Sequence, residues 1–126
     1  MKKYRITLTK EQIMLIANCV EDCHRFARGE TQLWNTTSAF NIKEWDELRD
    51  RLQCLQPLVT PELGICASYG WNGTGCKDEH QRKFIAKTYA IYREILHKVV
   101  NNGVYKYPTL TCKEGGELPI IEEVED

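Results

Sequence analysis

Between Gly64 and His80 the chain reads Gly-Ile-Cys-Ala-Ser-Tyr-Gly-Trp-Asn-Gly-Thr-Gly-Cys-Lys-Asp-Glu-His, with no helical or strand period. Gly70, Gly73 and Gly75 stand just ahead of a strongly helical run whose first residues include Arg82 and Lys83. A glycine-rich turn feeding a helix start presents backbone N–H groups and the positive end of the helix dipole to an anion. Basic side chains beside it add charge-assisted hydrogen bonds. Tyr69 and Trp71, with Trp34 from earlier in the chain, offer rings for stacking, and Asn72 offers an amide. This constellation predicts a seat for a small anion that carries a planar ring, a nucleotide being the natural candidate. Trp34, Tyr69, Trp71 and Asn72 would meet the ring, Gly70 and Gly73 would allow close approach, and Arg82 and Lys83, with Arg25 and Arg28, would hold phosphate. The order of residues matches neither the Walker pattern nor the dinucleotide fingerprint. Asp78 and Glu79 at the same helix start would repel an anion.

Two other chemistries compete for these residue types. Cys19-x3-Cys23 beside His24, and Cys76-x3-His80, each place two metal-ligating groups one helical turn apart. Structural zinc takes four such ligands from short loop spacings, so the cysteines read instead as small buried apolar groups, and no metal is expected. Cys76 with His80 could form a nucleophile and base, because a thiol near a helix N-terminus loses its proton more readily. No orienting residue or oxyanion hole can be assigned, which makes a cysteine hydrolase a minor alternative. No cofactor is implied.

The elements that would position these groups follow from periodicity. Tyr4, Ile6 and Leu8 alternate with Lys3, Arg5 and Thr7, the pattern of a half-buried strand. Thr9 and Gln12 form a capping box for a helix over 10–28, stopped by Gly29. Its buried stripe is expected to include Ile13, Ile16, Ala17, Val20 and Ala27, widened by Cys23, with Asp22 outside it. Residues 30–40 read as a loop. Asn41 and Glu44 suggest a second helix, ended by Pro57. Asp78 and Gln81 suggest the cap of a third, running to about Val100. Residues 104–112, a turn at 114–117 and residues 118–124 read as an edge-like hairpin, broken by Pro108 and Pro119. The expected fold is a single α+β domain over 1–126: three main helices packed on a small antiparallel sheet.

The chain has 126 residues, 42% hydrophobic and 28% charged, which fits one domain with a modest core. The net charge of -1 supplies no field for bulk nucleic acid or an anionic membrane. From Lys106 onward two lysines face six acids, an acidic tail that is densest over 122–126, while the first 105 residues hold 15 basic and 12 acidic side chains. No apolar run is long enough for a membrane helix and no apolar signal core follows the opening lysines, so a cytoplasmic protein with reduced thiols is expected.

The segments Leu58-Val59-Thr60-Pro61-Glu62-Leu63, Ser68-Tyr69-Gly70-Trp71-Asn72-Gly73 and Gln81-Arg82-Lys83-Phe84-Ile85-Ala86 resemble small uncharacterised proteins carried by gut Bacteroidales and their phages. The resemblance spans most of the chain and brings no activity or functional residue with it. It implies a phage-accessory context, in which some small cytoplasmic proteins sequester nucleotide immune signals. The reading that results is a non-enzymatic ligand-binding protein, expected to be a homo-oligomer. The alternative is a protein–protein interaction module or an inhibitor of a host enzyme.

Overall fold

A computed structural model of the chain describes residues 2–100 and 112–124. The elements are α1 (Lys10–Arg28), α2 (Trp34–Ser38), α3 (Trp45–Gln53), α4 (Gln56–Val59), α5 (Glu79–Val99) and a single 3-10 turn (Lys113–Gly115). Among the described residues there is no strand, so the expected α+β architecture is corrected to a helical one. Tyr4–Leu8 has the alternation of a strand, but no ladder partner lies beside it among those residues. Lys3 meets Glu117 and Arg5 meets Glu122 through exposed ion pairs of 2.9 and 3.3 Å. That pairing order advances along both stretches together, opposite to an antiparallel register. Residues 118–124 carry Pro119, which lacks an N–H for a ladder. The other expected hairpin arm, 104–111, lies outside the described residues.

The two long helices start and stop where their caps dictate. The Thr9 hydroxyl accepts from Gln12 N while the Gln12 side chain accepts from Thr9 N, a complete capping box. Gly29, at φ +116°, ends α1 in the left-handed conformation. A Cβ there would stand 2.8 Å from the Ala67 carbonyl oxygen, so the same glycine lets the long loop close against α1. Asp78 caps α5 by accepting from His80 N and Gln81 N. Gln81 does not complete a box. Its amide reaches across to the carbonyls of Ala27 and Val59 at 2.8 and 3.1 Å, tying the ends of α1 and α4 to the start of α5.

The middle of the chain departs from the sequence reading. The second helix begins at Trp45 with no side-chain cap, and Asn41 plays no part in it. Pro57 sits inside the first turn of α4 rather than ending a helix, a position where its missing N–H costs nothing. Residues 30–40 contain α2, which begins after Leu33 at φ +54° and lacks a cap of its own. Asp22 of α1 supplies it: the carboxylate accepts from Asn35 N (3.1 Å), Thr36 N (2.6 Å) and the Thr36 hydroxyl (2.6 Å). Asp22 is therefore buried, contrary to its placement outside the stripe. Cys19 and Cys23 are exposed thiols and Ile16 is exposed too, correcting their expected place in the core; of the expected stripe Ala17 and Ala27 are buried, joined by Asp22 and His24.

The largely apolar α1–α5 seam also buries polar groups. Ala27, Tyr69, Cys76 and Ile85 form its apolar cluster. Beside it His24 is fully buried, with Nδ1 2.8 Å from the Ile85 carbonyl oxygen. A carbonyl only accepts, so Nδ1 carries the proton and Nε2 is bare. Nε2 is buried with no partner among the described residues, and the rings of Tyr89 and Tyr92 stand 5.2 and 5.3 Å away. Gln56, also fully buried, donates to the Thr60 hydroxyl (2.6 Å) and the Gly64 carbonyl (3.2 Å) and accepts from Cys66 N (3.1 Å), which fixes the start of the long loop.

Burial pushes the pKa of His24 down to about 4, against the opposing Ile85 bond, and Arg28 and Arg25 lower it further. A base depressed on folding takes up a proton more readily when unfolded. Its contribution is fully present above about pH 6.5 and is lost as pH falls toward 4. Urea unfolding across that window should show stability dropping by on the order of 3 kcal/mol. A flat profile would contradict the buried neutral imidazole.

Candidate functional site

The structure binds many of the residues singled out around the long loop to one another and to the helices. Tyr69 is 4% exposed, its ring within the apolar cluster under α5. Its backbone N–H donates to the Arg28 carbonyl, and Arg28 Nε donates back to the Tyr69 carbonyl at 2.9 Å. Arg28 thus holds the loop to α1. Trp71, 37% exposed, lays its ring 4.6 Å from that of Tyr89, covering the seam that contains His24. Asn72 turns its amide oxygen onto Thr74 N (3.1 Å) and the Thr74 hydroxyl, closing a tight turn from Gly70 to Thr74.

The glycines serve the same packing. Gly73, at φ +87°, is buried against α5, and a Cβ there would fall 2.6 Å from Arg82 Cγ and 2.9 Å from the Arg82 carbonyl oxygen. The basic side chains are engaged as well. Arg82 Nε lies 2.9 and 2.8 Å from the two carboxylate oxygens of Glu114, and its other arm donates to the Cys76 carbonyl. Lys83 pairs with Glu79 at 2.6 Å, one turn back on the exposed face of α5, and Arg25 approaches Glu21 at 3.6 Å. Tyr69, Trp71, Asn72, Gly70 and Gly73 therefore pack over α1 and α5, Arg82 holds Glu114, Lys83 stays on the exposed face of α5, and none of the seven lines either of the two clefts around Trp34.

Cys76 is buried, and its thiol lies 3.5 Å from the Asp78 carbonyl oxygen. Burial pushes its pKa up, the opposite of what an activated nucleophile needs. His80 is exposed. Among the described residues no group of three or more His, Cys, Asp and Glu side chains could hold a metal ion, and no helix is long and apolar enough to cross a membrane.

Two of the expected residues, Trp34 and Arg25, line a different concavity. A cleft of about 290 Å³ lies between Arg25, Glu30, Gln32, Trp34, Gln53 and the stretch 66–68. A second, of about 380 Å³, shares Gln32, Trp34 and Gln53 with it and adds Asp46, Arg49 and Asp50. Trp34, 46% exposed, is thus common to both. Arg49 stacks its guanidinium 4.2 Å from the Trp34 ring centre and 4.9 Å from that of Trp45. It also donates to the hydroxyls of Thr37 (3.0 Å) and Ser38 (2.9 Å). These contacts fix one face of the indole by cation–π attraction.

The groove wall is set from several directions. Gln53 accepts from Thr31 N and donates to the Gly29 carbonyl. Thr31, fully buried, donates to the Leu52 carbonyl at 2.6 Å. Gln32 Oε1 is buried without a hydrogen-bond partner among the described residues. Gln32, Gln53 and Arg49 escaped the sequence reading because isolated amides and a lone arginine carry no motif. The one available signal was the spacing that sets Arg49 a helical turn after Trp45.

No family model matches the chain, and no curated protein or solved structure shows significant similarity to it.

Replacing Asp22 by alanine strips the start of α2 of its acceptor and should cost about 1–3 kcal/mol in urea unfolding, with the Trp34 emission altered in the folded state. Gly73→Ala, forced into a left-handed conformation against Arg82, should lose a similar amount, about 1–3 kcal/mol. A neutral result at either position would show that the helix start or the loop seat does not depend on it.

Proposed function

We propose that this protein is a non-enzymatic binding module whose ligand site is the Trp34 groove rather than the glycine loop. The observation that carries this reading is the half-exposed indole of Trp34, common to both clefts, beside Gln32, whose buried Oε1 has no hydrogen-bond partner among the described residues. A buried acceptor without a donor costs free energy, which a turn of the Gln32 side chain toward an incoming N–H group would recover. The free area of Trp34 offers stacking to a planar ring, and Arg25 and Arg49 offer cations beside it, set among the carboxylates of Glu30, Asp46 and Asp50. A nucleotide combines the three features required: a flat ring, N–H donors on its edge and an anionic tail. The phage-accessory context implied by the sequence resemblance adds the further proposal that the module sequesters a nucleotide signal. The raised thiol pKa of Cys76 weighs against hydrolytic chemistry.

A second reading, a protein-binding module or enzyme inhibitor, is favoured by the exposed side chains of Leu58 on α4 and Ile65 at the start of the long loop. Exposed apolar side chains of this size mark contact surfaces when they gather into a patch.

Thermal denaturation against a panel of linear and cyclic nucleotides separates the two. A ligand present at about 100 times its dissociation constant should add about 2.7 kcal/mol. Trp34→Ala and Gln32→Leu should each abolish the shift, while Trp71→Ala should leave the ligand-dependent part intact. No shift with any nucleotide, together with a protein partner lost on Leu58→Asp, would decide for the second reading.

A further inference from the structure

Among the described residues, the stretch ahead of α1 is exposed and forms no helix and no strand pairing. Tyr4 is 84% and Ile6 73% exposed. Among the described residues, no backbone group of residues 2–8 makes a hydrogen bond. The segment is held to the rest of the chain by the ion pairs Lys3–Glu117 and Arg5–Glu122, whose partners are all largely exposed. Pairs of that kind contribute little and release readily. An extended segment with open N–H and C=O groups and an apolar face is a template for pairing with another strand.

We propose that residues 3–9 are a dimerisation strand, pairing antiparallel with the same segment of a second copy about a two-fold axis at Ile6. The sequence suits that partner and that register, which pairs all three apolar side chains. Centred on Ile6, Tyr4 lies opposite Leu8 of the other copy, Ile6 opposite Ile6, and Leu8 opposite Tyr4, all on one face. The other face sets Lys3 opposite Thr9 and Arg5 opposite Thr7, so no like charges meet. A slip of one residue turns half the apolar side chains to the wrong face. A slip of two toward the start of the chain puts Arg5 opposite Arg5. A parallel in-register pair would stack lysine on lysine and arginine on arginine. A two-stranded ribbon alone is marginal and needs apolar cover. Leu15 and Ile16, exposed on the helix that follows directly, offer it.

Sedimentation equilibrium of the full chain over a wide concentration range tests the proposal. The wild-type protein should dimerise. Ile6→Lys, which opposes two charges on the axis, should be monomeric with unchanged helical circular dichroism. The register predicts opposite effects at one position. Thr7→Glu gains two symmetry-related pairs with Arg5 and should tighten the dimer about two- to thirty-fold, whereas Thr7→Arg should weaken it by a similar factor. A monomer at every concentration would overturn the proposal. So would a dimer that survives Ile6→Lys, or Thr7 variants that shift in the same direction.

Discussion

A buried imidazole proton is among the bonds that join the two long helices. His24 of α1 donates it to the Ile85 carbonyl in the middle of α5, in a site with no exposure to solvent. Only the neutral ring with its proton on Nδ1 can do so. That requirement, with the Gln81 bond to the Ala27 carbonyl, constrains how α1 lies on α5, and with it where Gly29 falls, because the glycine ends the same helix five residues later. From Gly29 the chain enters the groove wall on one side and meets the long loop on the other.

The loop is a cover for that seam. Its tyrosine fills the apolar cluster, its tryptophan lies on Tyr89, and Gly73 permits an approach to α5 that a side chain would block. The buried interior holds few large aliphatic groups. Gln56, Thr31 and Thr60 rank with Ile85 and His24 among the largest fully buried side chains. Each spends its polar atoms on loop or helix-end backbone, so the connections between the helices are held by directional bonds where a larger protein would use apolar bulk.

Much of the helical frame was legible in the sequence, because Thr9 with Gln12, Gly29 and Asp78 are local devices whose partners lie within a few residues. The failures share a physical cause. Asp22 looks like a solvent-facing residue until the uncapped start of α2 is placed beside it. Gln81 looks like a capping partner until the carbonyls of Ala27 and Val59 arrive from distant helices. Tyr4, Ile6 and Leu8 alternate correctly for a strand, but a strand is a property of two segments and the described chain supplies no second one. For the site, the composition of 64–80 announced a special backbone correctly. It did not reveal that the special backbone serves packing, since a glycine that admits a ligand and a glycine that admits Arg82 read alike. Trp34 and Arg25 were visible as candidates, while Gln32 acquires its significance only from its burial.

Asp22 and His24 are two positions apart, about 200° around the helix axis, and they hold opposite neighbours. α1 is consequently keyed like a shaft with two pins. Rolling it by one residue would tear the carboxylate from α2 and the imidazole from α5 at once, so neither bond can be traded for the other. Evolution can lengthen this helix before Asn18 or alter its exposed flank, but an inserted residue between the two pins would leave no rotation that satisfies both sides.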